Sequence, residues 1–221
     1  MKETLSLIPE LFFDIIGIFI PGAILYIGLY IMGFRYQVQN INDFILTVSI
    51  ILIIYISGHF LYAISTITIA KSADHIQYSR KKEWLDLDVN SEITKEIKKL
   101  LIQKIGQKWN MPIENGIDQK AAYEFCRNYI HTRNIERASF IRKEQAYGEL
   151  ARSMPIVSIV WLLYFWISST NSLLINLAIS SIIIMIFVFF FWRYLQARKI
   201  DAMFVYFNFL VLEEQENKSE E

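Results

Sequence analysis

The fold is decided by the stretch from Ala121 to Pro155, which reads AAYEFCRNYIHTRNIERASFIRKEQAYGELARSMP. This stretch is polar, rich in arginine and patterned as helix, and it leads directly into a strongly apolar block. Two apolar blocks precede it along the chain, and two follow it. We therefore interpret it as the connection between a water-soluble helical module and a membrane bundle.

The composition argues against a wholly soluble protein, because 54% of the 221 residues are hydrophobic and 15% are aromatic. The formal net charge is zero, so the chain as a whole has no bias toward nucleic acid. Cys126 is the single cysteine, which excludes an internal disulfide. No small-residue cleavage site follows the first apolar block, and we therefore expect no cleavable signal peptide.

Four apolar blocks predict four transmembrane helices in two hairpins. The third block is shorter than the usual ~17–25 residues of a span, so it either crosses with little tilt or forms a re-entrant hairpin with the fourth. We favour two true spans. Pro21 and Gly22 predict a kink in the first block, because proline removes a backbone donor. The blocks are Leu11 to Phe34, Phe44 to Ala70, Met154 to Ile167 and Leu173 to Trp192.

These blocks define the fold class as an all-α membrane protein, with a cytosolic helical insertion between spans two and three. In the insertion, Asn90 or Ser91 and then Asp118 are candidate helix caps. A helix break is predicted near Asn134. The predicted parts are a first transmembrane hairpin (1–70), the cytosolic helical domain (71–153), a second transmembrane hairpin (154–192), and a cytosolic helical extension with an acidic tail (193–221).

The extension contains an apolar run from Ala202 to Leu212, which would expose a large patch if it were left in water. We expect this run to pack on the insertion, on another subunit or on the membrane surface. The acidic tail from Glu213 to Glu221 is predicted to be disordered. The candidate interface residues within the run are Phe204, Phe207, Phe209 and Leu210.

Lysine and arginine are concentrated on one side of the predicted bundle, which indicates orientation through the positive-inside rule. The link after the first block carries only Arg35, and the link after the third carries no basic residue. We therefore expect a multi-pass protein of the bacterial inner membrane with both termini in the cytoplasm. Basic residues flank the other block ends, namely Arg80, Lys81, Lys82, Arg142, Lys143, Arg152, Arg193, Arg198 and Lys199.

Two ionisable residues, Asp14 and His59, fall inside the predicted spans. A charge in lipid is costly, so such residues are candidates for function and for pairing inside the protein. In an antiparallel hairpin the two side chains lie in the same half of the membrane, where they could meet. Either the two residues have a proton- or ion-linked function, or they have only a structural role, with His59 packed in a helix interface beside Gly58.

The segment RNYIHTRN places Arg127 and His131 four residues apart on one helix face. It resembles the catalytic motif of the HEPN ribonuclease family, although only three residues separate the arginine and the histidine, fewer than that motif has. The resemblance implies RNA cleavage, with His131 as acid or base and Arg127 stabilising the phosphorane. The alternative is a solvated helix face held by salt bridges.

Further basic residues are interleaved with aromatic residues, a pattern that suits an anionic ligand, RNA or anionic lipid headgroups. No set of His and Cys with metal-ligand spacing is evident, and no cofactor motif appears. We therefore expect neither a metal nor a cofactor. The candidate ligand- or lipid-binding residues are Arg133, Arg137, Arg142, Lys143 and Arg152.

The layout, together with the RNYIH segment, resembles small multi-pass membrane proteins of prokaryotic defence systems, including CRISPR-associated accessory proteins. That resemblance implies a homo-oligomer that senses a cytosolic cue and then perturbs the lipid bilayer or signals at it. The cue could be a cytosolic protein or an RNA. On this interpretation the chain is not an enzyme. The alternatives are a membrane-bound ribonuclease of the HEPN type and a scaffold or transporter accessory subunit.

Overall fold

The structure is a computed structural model, and it describes residues 10–33, 42–73, 75, 85, 95–109, 119–170 and 172–220. Within these ranges every regular element is helical, which confirms the predicted all-α class for this part of the chain. The predicted caps at Asn90, Ser91 and Asp118 lie outside the described residues. The helices are α1 (Glu10–Ile31), α2 (Asp43–Ile67), α3 (Lys95–Trp109), α4 (Gln119–Arg133), α5 (Ile135–Ser168) and α6 (Leu173–Glu220).

Among the residues that the structure describes, four helices are long and apolar enough to cross a membrane, as the four apolar blocks predict. They comprise α1, α5, the helical stretch Asp43–Ala73 that contains α2, and the Leu173–Asn217 part of α6. The short third block is the end of α5, which is a continuous helix of 34 residues. Its shortness in sequence therefore does not limit the length of the helix that contains it.

The chain divides into two compact units. We call them the apolar unit (Met1–Lys71 and Lys143–Ala197) and the polar unit (Ser72–Arg142 and Arg198–Glu221). Helices α5 and α6 run without interruption through the two unit boundaries, so each contributes residues to both units. The division in α5 falls at Arg142, earlier than the predicted limit at Ser153, because Ala146 and Glu149 pack against α1.

Helix α1 changes its hydrogen bonding just before Pro21, where the sequence predicts a kink. A π-helical turn covers Asp14–Phe19, and an α-helical segment covers Ile20–Ile31. The proline ring clashes with the carbonyl four residues earlier, and proline has no N–H to donate to it. A wider π turn accommodates both effects.

Glycines allow the backbones of α1 and α2 to touch in the apolar unit. A Cβ on Gly22 would lie 2.1 Å from the carbonyl oxygen of Ile54, and a Cβ on Gly58 would lie 2.2 Å from that of Ile18. Both distances are far below any real Cβ contact, so only glycine fits. Helices in membranes associate through this kind of close approach, because lipid provides no hydrophobic force between them.

The polar unit has a buried core to which α3, α4, α5 and the end of α6 contribute. The apolar run from Ala202 to Leu212 therefore packs on the insertion, one of the three predicted possibilities. Phe125 of α4 stacks on Trp109 of α3 and meets Phe209 of α6 edge-on. The α6 residues in this core are Val205, Tyr206, Phe209 and Leu212.

The predicted disorder after Glu213 is wrong for the described part of the tail, because α6 continues to Glu220. Glu213 accepts a hydrogen bond from Lys104 Nζ at 2.8 Å. Glu216 accepts one from Lys108 Nζ at 3.2 Å and another from the Tyr129 hydroxyl. The acidic residues are therefore ordered by cations and a hydroxyl of α3 and α4, which are remote in sequence.

Candidate functional site

Helix α4 ends at Arg133 and α5 begins at Ile135, so the predicted break at Asn134 is present. The Asn134 Oδ1 accepts a hydrogen bond from the backbone N–H of Arg137 at 3.0 Å. This is the N-cap arrangement, in which a short side chain satisfies a free N–H at the helix start. The break therefore has a specific local cause and lies within the polar unit.

Arg127 and His131 lie on α4 one turn apart, where side chains four residues apart are neighbours. Arg127 pairs with Glu124 at 3.7 Å between Nη1 and Oε2. His131 is exposed, yet partial burial of its ring lowers its pKa, and the positive charges of Arg127 and Arg142 lower it further. The imidazole is therefore mainly neutral at pH 7, which suits a general base. The catalytic role of this pair stays a prediction.

The lowered pKa of His131 gives the polar unit a defined pH dependence. The unfolded chain binds the histidine proton more tightly than the folded chain, so stability is present above the ordinary pKa of 6.5 and is lost as pH falls through it. We expect the urea midpoint, followed by circular dichroism, to fall between about pH 7.5 and about pH 5.5. In His131→Gln the fall should be smaller, and an equal fall in both proteins would contradict this.

Most of the predicted ligand-binding cations of the polar unit have partners within the protein. Arg133 pairs with Glu216 at 3.3 Å. Arg137 Nη1 donates to Asn208 Oδ1 at 3.1 Å. Arg142 contributes to the positive environment of His131. The contacts of Arg133 and Arg137 give these two arginines structural roles, and the role of all three arginines toward an external ligand stays a prediction.

The two remaining cations of the predicted set lie in the apolar unit. Lys143 Nζ lies 5.8 Å from the centre of the Phe12 ring. Arg152 points into the interior, where only 7% of it is exposed and where it pairs with Glu149. We therefore leave Arg152 out of the residues proposed to meet lipid. Glu149 is not among the predicted site residues, although it lies three residues before Arg152 and just ahead of an apolar block.

The structure does not bring Asp14 and His59 together. Both side chains are exposed, and no ion pair between them is seen in the described part of the chain. The reason is the contact of Gly58 with Ile18, which turns the next residue of α2 away from α1. His59 instead packs edge-on against Tyr55, with ring centres 4.5 Å apart.

The predicted interface residues of α6 have different surroundings. Phe209 is fully buried, and Phe204 packs edge-on against Phe140 with ring centres 5.1 Å apart. Phe207 and Leu210 line an open groove of about 420 Å³ between α3 and α6. The other residues that line this groove are Leu100, Lys104, Val211, Glu213, Glu214 and Asn217.

Within the described ranges, no group of three or more His, Cys, Asp or Glu could hold a metal ion. Comparison with protein-family models, with curated proteins and with solved structures found no match.

Proposed function

We propose that this chain is an oligomeric protein of the bacterial inner membrane that acts as an effector of the defence type. Its polar unit receives a cytosolic cue, and its apolar helices respond by changing the permeability of the membrane. The distribution of lysine and arginine supports cytoplasmic termini. The resemblance of the layout to membrane proteins of prokaryotic defence systems supports the class.

The observation that carries the proposal is the continuity of α6. Its first part is a strongly apolar helix, and its second part supplies Val205 and Phe209 to the centre of the polar unit. A rearrangement of that core must therefore be accommodated by a helix that continues into the apolar unit. Helix α5 is continuous in the same way.

Assembly of several copies is supported by an ionisable side chain that one copy leaves exposed on a candidate span. His59 is exposed near the middle of the candidate span Asp43–Ala73. An ionisable side chain facing lipid is costly, so contact with a second copy would relieve this exposure.

Loosening the core of the polar unit should raise the permeability of the membrane. Phe209→Ala removes a fully buried ring and leaves a cavity. With the protein reconstituted in vesicles loaded with K⁺, we expect this variant to release K⁺ several-fold faster than the parent. The release is measured with a K⁺ electrode after dilution into K⁺-free buffer.

Phe207→Ala is the matched control, because Phe207 lies on the same helix but is 38% exposed. It should release K⁺ at the parent rate. Equal rates in all three proteins, with each one shown to be inserted, would rule out control of permeability by the polar unit. A scaffold or accessory subunit would then be the better interpretation.

A further inference from the structure

A cation lies inside the apolar unit where α1, α2 and α5 meet. Arg152 of α5 pairs through Nη2 with the carboxylate of Glu149 on the same helix. Its Nε donates to Ser65 Oγ of α2 at 3.3 Å, and its guanidinium lies 4.6 Å from the centre of the Tyr62 ring. One buried cation therefore holds α5 to α2.

Helix α1 fixes the other member of the pair. The Cβ of Glu149 would lie 3.1 Å from a Cβ on Gly17, so the absence of a side chain at Gly17 makes room for the glutamate. Ser65, the acceptor for Arg152, is fully buried and donates its own hydroxyl hydrogen to the Tyr62 carbonyl at 2.9 Å. The position of the pair thus depends on three helices at once.

A buried ion pair makes packing conditional on charge. Replacing both partners by apolar residues of similar size is often neutral for stability, whereas removing one partner is strongly destabilising because the other charge is left unpaired. If Glu149 loses its charge or moves away, the Arg152 guanidinium has to leave the apolar interior for water or for lipid headgroups. Its contacts with α2 are then lost.

We propose that the Glu149–Arg152 pair is a latch that holds α5 against α1 and α2 in the resting state. Its opening is the step by which a change in the polar unit alters the membrane, and in this respect the latch rests on the proposed function. Glu149 lies about two helical turns beyond Arg142, the last α5 residue of the polar unit. A displacement of the polar-unit part of α5 can therefore be transmitted to the Glu149–Arg152 pair along the same helix.

The accessibility of Ser153 reports directly on the latch. This residue follows Arg152 and is fully buried, and among the described residues its hydroxyl has no hydrogen-bond partner, so Ser153→Cys removes none of the described hydrogen bonds. In a Cys126→Ala background it provides a single thiol. We expect Glu149→Gln to accelerate its labelling by a water-soluble maleimide roughly a hundredfold, in keeping with the free energy of an unpaired buried charge.

Two variants control this experiment. Glu136→Gln removes an exposed carboxylate from the same helix and should leave labelling at the parent rate. The double variant Glu149→Leu with Arg152→Met removes both charges and should also label slowly, because no unpaired charge remains. Fast labelling in that double variant would overturn the latch, since the charge would then not be the cause.

Labelling of the Glu149→Gln variant at the parent rate would also overturn the proposal. If that variant does not fold, Arg152→Lys serves instead, because lysine keeps the charge but lacks the planar group that contacts Ser65 and Tyr62. It should label faster than the parent, and the parent rate would overturn the latch.

K⁺ release separates the latch from the proposed function. If Phe209→Ala vesicles release K⁺ faster than parent vesicles but Glu149→Gln does not accelerate labelling of the Ser153→Cys thiol, the latch is overturned and the effector function is still supported. Faster labelling in Glu149→Gln without K⁺ release from any variant supports the latch as a structural device and overturns the effector function.

Discussion

Gly58→Ala is expected to destabilise the apolar unit by about 3 kcal/mol or more, at the upper end of what overpacking costs. The added Cβ would lie 2.2 Å from the carbonyl oxygen of Ile18, and a backbone atom cannot turn aside as a side chain can. The two helices must therefore separate, and the matching contact of Gly22 with Ile54 is lost with them. The effect is measured as a lower melting temperature in mild detergent.

Gly148→Ala is a closely matched control, because the same substitution is made inside a helix of the same unit. A Cβ on Gly148 would meet the Ala197 Cβ at 3.6 Å, which is an ordinary contact. Alanine is favoured over glycine in helices by roughly 1 kcal/mol, so this variant should be as stable as the parent or more so. Similar melting temperatures for Gly58→Ala and Gly148→Ala would show that α1 and α2 do not touch as described.

The contrast between these glycines shows what hydropathy can and cannot predict. The four apolar blocks are evident because each is long enough to cover a hydrocarbon layer. Hydropathy does not show which residue faces which helix, because lipid-facing and helix-facing residues are equally apolar. Gly58 and His59 are adjacent, yet one contacts α1 and the other is exposed.

The same limit applies to the charged residues. Asp14 and His59 attract attention in sequence because they are ionisable residues within apolar blocks, but the structure leaves both exposed. Arg152 resembles one more juxtamembrane cation, and its burial depends on Ser65, a residue of α2. Glu213 looks like part of a disordered tail until Lys104 is placed beside it. Contacts with remote segments decide the surroundings of Arg152 and Glu213, and the residue pattern along one segment does not reveal such contacts.

Ending the chain after Asp201 is expected to unfold the polar unit. The truncation removes four buried side chains from its core, and each one stabilises the fold by about 1.5–3 kcal/mol. Together they match the whole stability of a typical domain, about 5–15 kcal/mol. The residues lost from the core are Val205, Tyr206, Phe209 and Leu212.

Cys126 reports on this loss, because it lies in the same core and is the single thiol of the chain. Burial raises the pKa of the Cys126 thiol far above its ordinary value, so the full chain should react very slowly with a maleimide. The truncated chain should react as fast as a free thiol. A chain ending after Asn217 keeps Glu213 and Glu216 and should remain as slow as the full chain. A slow reaction after truncation at Asp201 would mean that α3 and α4 form a core without α6, and α6 could not then transmit a change in that core.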